Sequence, residues 1–400
     1  MRIAVLHQAL GRYGGAERLC INVCRELNDR GHEVGLFWHD WKLPVDWQGL
    51  LSRYDEFVGR TRIVPWHVYK LGNIIDELRS YDVVLVMHHM NPPVGIRVVT
   101  GLRGRVPCIW YAGEPNRGLW EKYIAPENTA NMKEVFVNTV RDIYGRAASI
   151  AASTTPLYQL ATGALCALDF AFVRSYMRII AQSIAAKDAL SRIYRVPSSK
   201  LDVIYPGVYA PRIDYHGATA YPQNDGTGFF MAVGAIEAHK NYETMFRALK
   251  ALIQLQPSAR LVVVGVGSQS GLLRSQYHAL PIVFKGYVST DYLSLLYSVS
   301  RCLVHTAYWE PFGLTPIEAA YFGKPSIVSR LGGPAETVRN GVTGIHVDPS
   351  NSEEICGAMN LMMNSDICAK MGKNALENVR QNFTMEKMIG SLEKVLEEIC

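Results

Sequence analysis

The amino-acid sequence predicts an α/β protein that contains two doubly wound parallel sheets. Its 400 residues exceed what one hydrophobic core usually covers. Short apolar runs also alternate with amphipathic helical stretches, stop at a polar segment and then start again. We therefore expect an N-terminal domain over residues 1–208, a linker over 209–228, a C-terminal domain over 229–383 and a last helix over 384–400 that can cross back to the N-terminal domain.

The N-terminal half begins with an apolar strand at Ile3–Leu6 and an amphipathic helix at Ala16–Asn28, which Gly31 ends. Further strands are predicted at Val34–Phe37, Val83–Met87, Cys108–Tyr111, Ile179–Ala181 and Val203–Tyr205. The longest uncharged run, Ala147–Leu168, contains proline, glutamine and several hydroxyl side chains. It therefore predicts a helix of the fold and not a membrane span.

The C-terminal half repeats the same pattern after a linker that is rich in glycine and proline. Its strands are predicted at Phe229–Val233, Leu261–Val264, Ile282–Phe284, Cys302–His305, Ser326–Ser329 and Gly344–Val347. Met385–Cys400 carries its apolar residues on one side and predicts an amphipathic helix. Open α/β sheets bind ligands at the carboxyl ends of their strands, so two such domains facing each other would form a binding cleft.

The composition excludes several classes of protein. With 48% hydrophobic and 19% charged residues, the chain has enough apolar side chains to form cores and is not disordered. Its eight cysteines form no CxxC pair, which indicates small buried side chains in a reducing compartment and no zinc site. The first residues do not resemble a signal peptide, so a cytoplasmic location is expected. Serine hydrolase, P-loop and HExxH motifs are all missing from the sequence.

The net charge of +5 is unevenly distributed, because residues 1–210 carry +6 and residues 211–400 carry −1. A basic N-terminal half suits an anionic partner, such as a phosphate group or the cytoplasmic face of a membrane. An ordinary solvated surface explains the same excess. The chain lacks a dense stripe of Arg and Lys, so nucleic acid is not an expected partner.

The densest motif is the segment 309–327, with the sequence WEPFGLTPIEAAYFGKPSI. Thr315 and Glu318 are spaced as a capping box, which predicts a helix that starts at Thr315. The free amides of that helix would point back toward Phe312, Gly313 and Leu314 and form a site for a phosphate. Glu310 would repel a phosphate, so sugar hydroxyl groups are its better partners. The alternatives are a surface carboxylate for Glu310 and pure capping for Glu318.

Glycine turns follow other predicted strands. Gly14 and Gly15 open the first helix and allow close approach of a ligand, although a tight turn explains them equally. They do not form a GxGxxG fingerprint, so NAD is disfavoured. In the C-terminal half, Gly234 ends a strand and Lys240 follows at the start of the next helix, where it can pair with phosphate. A solvated lysine is the alternative for Lys240. Gly265 ends the next predicted strand in a glycine turn and is expected to form a wall of a nucleotide site.

His88 and His89 follow the Val83–Met87 strand at the carboxyl edge of the first sheet. Either side chain can contact an acceptor hydroxyl there. A structural role is the alternative, since a single histidine is more often part of the core.

Three segments together resemble the family 4 retaining glycosyltransferases of GT-B fold, in which two Rossmann-like domains face each other. These segments are GGAER near the N-terminus, a KN pair after a VG turn, and EPFGLTPIE. The resemblance covers nearly the whole chain. It is nearest to mannosyltransferases of lipid-linked oligosaccharide or O-antigen assembly.

The resemblance implies a role for each matching position. Glu310 would hold the hydroxyl groups of the donor sugar and Glu318 those of the ribose. Tyr287 and Val288 would lie near the base. The diphosphate would be held by a group of glycines, backbone amides and one lysine, namely Gly14, Gly15, Gly234, Lys240, Gly265, Phe312, Gly313, Leu314 and Thr315.

The resemblance also implies a reaction. A hexose would be transferred to a hydroxyl of a lipid-linked or other glycan acceptor, with retention at the anomeric carbon. Mannose from GDP-mannose is the expected donor sugar. The sequence has no DxD pair, so transfer without a metal is expected, and the nucleotide-sugar is a substrate, with no cofactor besides. Many relatives carry an arginine where this chain has Ala235, so phosphate binding depends more on Lys240. A nucleotide-sugar epimerase and a non-catalytic sugar-nucleotide-binding relative are the alternative functions.

Overall fold

The computed structural model describes residues 1–8, 14–39, 61–66, 71–87, 90, 92–116, 119–120, 155–209 and 228–400. The chain divides into two compact units. The first unit consists of Met1–Gly207 together with Met385–Cys400, and the second consists of Val208–Thr384. Most of the predicted linker, residues 210–227, lies outside the described residues.

The described part of the first unit contains a seven-stranded parallel sheet in the order β3-β2-β1-β4-β5-β6-β7. Its strands are β1 (Arg2–Gln8), β2 (Glu33–His39), β3 (Arg62–Trp66), β4 (Val83–Val86), β5 (Cys108–Ala112), β6 (Arg178–Ala181) and β7 (Leu201–Val203). The strand predicted at Val203–Tyr205 is wrong by two residues, because β7 pairs with β6 over Leu201–Val203 and the chain then reaches Pro206.

Five helices of the first unit connect these strands within the described residues. They are α1 (Gly15–Asp29), α2 (Leu71–Leu78), α3 (Pro92–Leu102), α4 (Thr155–Arg174) and α5 (Ile184–Tyr194). The described part of the uncharged run predicted as a helix lies in α4. None of the described helices is long and apolar enough to cross a membrane.

The second unit contains all six strands that the sequence predicts. They are β8 (Phe230–Val233), β9 (Leu261–Val264), β10 (Ile282–Gly286), β11 (Cys302–His305), β12 (Ser326–Ser329) and β13 (Gly344–Val347). Within the described residues they form one parallel sheet in the order β10-β9-β8-β11-β12-β13. The helices of this unit are α6 (Tyr242–Leu255), α7 (Ser270–Gln276), α8 (Thr290–Val299), α9 (Leu314–Tyr321), α10 (Pro334–Thr337), α11 (Ser352–Met362) and α12 (Ser365–Asn382).

Alternate side chains of the second sheet enter two different cores. Phe230, Val263 and Val304 pack into the larger core with α6 and α11. Met231 and Leu303 belong to a smaller core on the opposite face. Strands covered by helices on both faces have no solvated side, which explains why they are continuous apolar runs in the sequence.

The last helix, α13 (Met385–Glu397), belongs to the first unit. Its residues Met388, Ile389 and Leu392 are buried in the core that also contains α1 and the β1 strand. The Glu393 carboxylate accepts a hydrogen bond of 2.8 Å from Arg30. Burial of one apolar stripe is what the amphipathic pattern predicts.

Six of the eight cysteines are buried, as their apolar surroundings predict. They are Cys20, Cys24, Cys108, Cys302, Cys356 and Cys368. Cys166 is half-buried and Cys400 is exposed.

Candidate functional site

The strand order of the second sheet reverses between β8 and β11. The loop after β8 contains a 3₁₀ turn at Ala238–Lys240, and the loop after β11 leads into α9. At such a reversal the connections leave toward opposite faces of the sheet, and a crevice opens at the carboxyl ends of the strands. The two loops therefore flank the position where open α/β sheets bind ligands.

Lys240 and Glu310 form an ion pair between these two loops, with the Lys240 ammonium on Oε1 of Glu310. Only 10% of the Glu310 side chain is exposed, and 22% of the Lys240 side chain. Burial of a carboxylate is costly unless an opposite charge and hydrogen bonds compensate it. The ammonium supplies that compensation, so the fold brings together two predicted site residues that are 70 positions apart.

Further hydrogen bonds join the same two loops. The Tyr308 amide donates to the His239 carbonyl at 3.1 Å. The Asn241 side-chain amide donates to the Thr306 carbonyl at 3.0 Å and to the Pro349 carbonyl at 2.6 Å. Asn241 has a left-handed φ of 57°, a conformation that asparagine tolerates better than most residues. These bonds hold Lys240 and Glu310 at a defined separation.

His305, the last residue of β11, is a member of the site that the sequence analysis does not include. Its Nδ1 lies 3.2 Å from the Thr315 hydroxyl, and its Nε2 lies 3.2 Å from Oε2 of Glu310. Burial, assisted by the positive charge of Lys240, lowers the pKa of His305 to about 3. The ring is therefore neutral at physiological pH, and Glu310 keeps Lys240 as its positive partner.

The helix α9 begins at Leu314 with Gly313 as its N-cap, so the predicted capping box and the start at Thr315 are wrong. Gly313 has a φ of 87°, which glycine adopts without strain and which lets the helix begin one residue earlier. The Thr315 hydroxyl bonds to His305, and the Glu318 carboxylate accepts from the Tyr297 hydroxyl at 3.0 Å. Gly313 has no side chain with which to cap α9, and the positive end of the α9 dipole lies at this loop.

The loop that carries Glu310 rests against the glycine pair 332–333. The Gly333 amide donates to the Glu310 carbonyl at 2.9 Å. A Cβ atom on Gly332 would lie 2.5 Å from that same carbonyl oxygen, and Gly332 has a left-handed φ of 74°. Phe312 is buried and packs edge-on against Phe383 at 5.8 Å, so this residue offers its backbone and not its ring to the loop.

The glycines at the ends of β8 and β9 lie in contact. The Gly234 amide donates to Val264, and the Gly265 amide donates to Gly286 at 2.8 Å. A Cβ atom on Gly265 would lie 2.0 Å from the Gly234 carbonyl oxygen. Tyr287 follows β10 and is 62% exposed, whereas Val288 packs against the smaller core. These two neighbours therefore present different surfaces, and only Tyr287 exposes a large side chain.

The predicted residues of the N-terminal half belong to the first unit. Gly14 is the N-cap of α1 and Gly15 its first residue, and the Glu17 carboxylate accepts from the Gly14 amide at 3.1 Å. His88 and His89, predicted on the acceptor side, lie outside the described residues.

Two protein-family models match most of the chain. The model of Glycosyltransferase Family 4 matches residues 13–210. The model of Glycosyl transferases group 1 matches residues 219–378, which include both Lys240 and Glu310. The chain belongs to the family 4, group 1 glycosyltransferases that these two models describe.

Curated relatives of this glycosyltransferase differ in the share of the chain that they match. An uncharacterized glycosyltransferase of Methanocaldococcus jannaschii is 27% identical over 58% of this chain and 63% of its own length. A D-inositol 3-phosphate glycosyltransferase of Rhodococcus opacus is 31% identical over 52% of this chain and 50% of its own. The alpha-1,3/1,6-mannosyltransferase alg-2 of Neurospora crassa is 22% identical over 99% of this chain and 90% of its own. The chain thus spans between about half and two thirds of the first two relatives.

Solved structures share the fold over the whole chain. The Anabaena protein HepE in complex with UDP-glucose matches with a TM-score of 0.72 at 19% identity, and both chains are covered completely. The sucrose-phosphate synthase of Thermosynechococcus elongatus matches with a TM-score of 0.70 at 17% identity, over 100% of this chain and 98% of its own. These likenesses show the GT-B fold, which confirms the fold class predicted from the sequence.

Proposed function

We propose that this glycosyltransferase moves a hexose from a nucleotide-sugar to a hydroxyl group of a glycan acceptor, with retention at the anomeric carbon. The Lys240–Glu310 pair at the strand-order reversal carries the proposal. A nucleotide-sugar needs a cation for its diphosphate and hydrogen-bond acceptors for its sugar hydroxyls, and the pair offers both. Membership of the family supports a nucleotide-sugar as the donor.

The donor would replace the contact that Lys240 and Glu310 make with each other. The Lys240 ammonium and the first amides of α9 would bind the diphosphate oxygens. Both are positive and belong to the two loops that follow β8 and β11. Glu310 would then turn its lone pairs to hydroxyl groups of the sugar. Glu318, which lies on α9 and accepts a hydrogen bond from the Tyr297 hydroxyl, would also accept hydrogen bonds from the ribose hydroxyls.

These residues would assist transfer by stabilising charge. As the bond between the anomeric carbon and the phosphate oxygen breaks, the leaving diphosphate gains negative charge beside Lys240 and the α9 amides. The acceptor oxygen forms its bond on the same face of the sugar, and its proton passes to the departing phosphate oxygen. Because chain groups supply the positive charge, we propose that transfer does not need a metal and continues in the presence of EDTA.

We propose GDP-mannose as the donor and a lipid-linked glycan as the acceptor. The Neurospora crassa mannosyltransferase, which matches nearly the whole chain, supports mannose. The HepE complex makes UDP-glucose the competing donor. The +6 charge of residues 1–210 is consistent with an acceptor held at an anionic membrane surface on the cytoplasmic side.

A thermal-shift screen with GDP, UDP and ADP, followed by GDP-mannose and UDP-glucose, tests this function. A large shift with GDP and GDP-mannose is expected. Lys240→Met should weaken the nucleotide-sugar and the free diphosphate together by about tenfold or more, as measured by calorimetry. Lys250→Met, which removes an exposed lysine of the same unit, is the matched control. A wild-type protein that binds no nucleotide would contradict the proposal.

A further inference from the structure

His305 occupies a position where an aliphatic residue would otherwise be expected. It ends β11, whose other residues are Cys302, Leu303 and Val304, and it is only 6% exposed. A histidine buried at the end of an apolar strand must find partners for both ring nitrogens. Its Nδ1 faces Thr315 in the first turn of α9, and its Nε2 faces Glu310 in the loop before that helix.

The chemistry of these neighbours determines the tautomer of His305. A carboxylate only accepts hydrogen bonds, so the tautomer that complements Glu310 carries its hydrogen on Nε2, which faces Oε2 of that carboxylate. Nδ1 then accepts from the Thr315 hydroxyl. The neutral ring, whose pKa burial has lowered, therefore offers Glu310 one N–H and no positive charge.

The contact between His305 and Glu310 is close without being a well-aligned hydrogen bond. The Nε2 atom lies at 3.2 Å from Oε2 of Glu310, yet no group in the described part of the chain completes a hydrogen bond of good geometry with it. The other carboxylate oxygen, Oε1, is engaged by Lys240. A rotation of the Glu310 carboxylate away from Lys240 would therefore be met by an N–H that is already in place.

We propose that His305 is a positioning residue for the donor sugar. It would hold the Glu310 carboxylate when the diphosphate of the donor binds the Lys240 ammonium. This inference rests on the proposed function. One oxygen of Glu310 would then be bonded to His305, and the remaining lone pairs would face the sugar hydroxyls in a defined plane. Thr315 orients the imidazole, so it contributes through its side chain as well as through its backbone.

Calorimetry with matched ligand pairs tests this role. GDP-mannose is compared with GDP, and UDP-glucose with UDP, on the wild type, His305→Leu and His305→Gln. Leu fills a similar volume without an N–H, whereas the Gln side-chain amide can donate from near the position of Nε2. His346→Leu is the matched control, because His346 is a half-buried histidine of the same unit that bonds to the Val338 carbonyl at 2.7 Å.

We expect His305→Leu to lose about tenfold in affinity for the nucleotide-sugar while the affinity for the diphosphate stays within about twofold. His305→Gln should recover most of the loss, and His346→Leu should change neither affinity. An equal fall for both ligands, or no fall for the nucleotide-sugar, would overturn the inference while leaving the proposed function intact. If the wild type binds no nucleotide, both fail together.

Thr315→Val provides a second measurement if His305→Leu does not fold, which its thermal transition would reveal. This variant leaves the imidazole in place and removes the hydroxyl that orients it. We expect the same selective loss for the nucleotide-sugar, smaller than that of His305→Leu. A loss shared equally by nucleotide-sugar and diphosphate would count against the orienting role.

Discussion

At the scale of single residues, the site is a row of four side chains in which each contacts the next. Thr315 meets His305, His305 meets Glu310, and Glu310 meets Lys240. In the absence of a donor, the two charged groups satisfy each other. A diphosphate therefore has to compete with Glu310 for the Lys240 ammonium, and this competition can be measured.

Glu310→Gln should separate nucleotide binding from transfer. The substitution keeps the shape and removes the charge that competes for Lys240. We expect GDP and UDP to bind as tightly as to the wild type or several-fold more tightly, while turnover falls by about a hundredfold. Calorimetry and a transfer assay measure the two effects.

Glu354→Gln is the control for this substitution, since it breaks an exposed pair with Arg330 in the same unit, and exposed pairs contribute little. It should affect neither nucleotide binding nor turnover. Wild-type turnover in Glu310→Gln, or a loss of diphosphate affinity in that variant, would contradict the assigned role.

His305 should also make the stability of the second unit depend on pH. Its pKa is about 3 in the folded chain and about 6.5 when exposed, so the unfolded chain binds one proton more between these values. Stability is complete above about pH 6.5 and is lost as the pH falls. Relative to His305→Gln, which does not titrate, the wild type should lose about 1.4 kcal/mol between about pH 7.5 and about pH 5.5. Urea unfolding at the two pH values measures this difference, and parallel profiles would refute it.

Sequence reasoning selects Lys240 and Glu310 as candidates, but it does not predict that they contact each other. The acidic residues and Lys240 stand out because a charged residue next to a glycine turn at a strand end is easily noticed. His305 does not, since it is the last residue of an apolar strand and its partners lie five and ten positions further along the chain. The capping box fails for a related reason, because the Thr315 hydroxyl bonds to His305 and not to the backbone of its own helix.

At the scale of elements, a second segment shapes the loop that carries Glu310. The glycine pair 332–333, which precedes α10, lies directly behind that loop. Larger residues would clash with the backbone of that loop, because an added Cβ atom would lie within 2.5 Å of it at both positions. The glycine pair is therefore part of the site although it contributes no side chain.

Gly332→Ala should damage the site more than an ordinary glycine substitution does. Its Cβ atom would lie 2.5 Å from the Glu310 carbonyl oxygen, in addition to the strain of a left-handed φ. Gly341→Ala is the matched control, because Gly341 has a nearly identical φ of 73° but nothing within 4 Å of the added atom.

Both variants should lose about 1–3 kcal/mol in the free energy of unfolding, since both carry the strain of a left-handed residue. Only Gly332→Ala should also weaken nucleotide-sugar binding in calorimetry. Equal binding by the two variants would show that the close approach to Glu310 is unimportant.

The elements of the sheets differ in how clearly the sequence predicts them. All six strands of the second unit are apolar runs buried on both faces, and each is followed by a turn. The strand β3 is not predicted, because it is a polar-flanked segment that contains Pro65 and lies at the edge of the described sheet. Proline is tolerated at an edge, where one side of the strand has no ladder partner, yet in a sequence it argues against a strand.

At the scale of the whole molecule, the chain leaves the first unit once and returns to it. Residues Met385–Cys400 pack in the first unit, although they follow directly on the second. The Val208 amide donates a hydrogen bond to the Phe383 carbonyl at 3.0 Å. The segments at which the second unit begins and ends are therefore bonded to each other. The stability of the first unit therefore depends on a helix that is synthesised after the second unit.

Leu392→Ala should destabilise the first unit and leave the second unit unchanged. Leu392 is fully buried in the core that contains α1, and such truncations cost about 2–5 kcal/mol. Leu252→Ala, which removes a fully buried leucine from the core of the second unit, is the reciprocal variant.

Hydrogen exchange followed by mass spectrometry should show faster exchange in residues 1–39 for Leu392→Ala and in residues 242–264 for Leu252→Ala. GDP should slow exchange in the second unit of Leu252→Ala, because Lys240 and the start of α9 belong to that unit. Faster exchange in both units of either variant would show that the two cores unfold as one and would contradict this prediction.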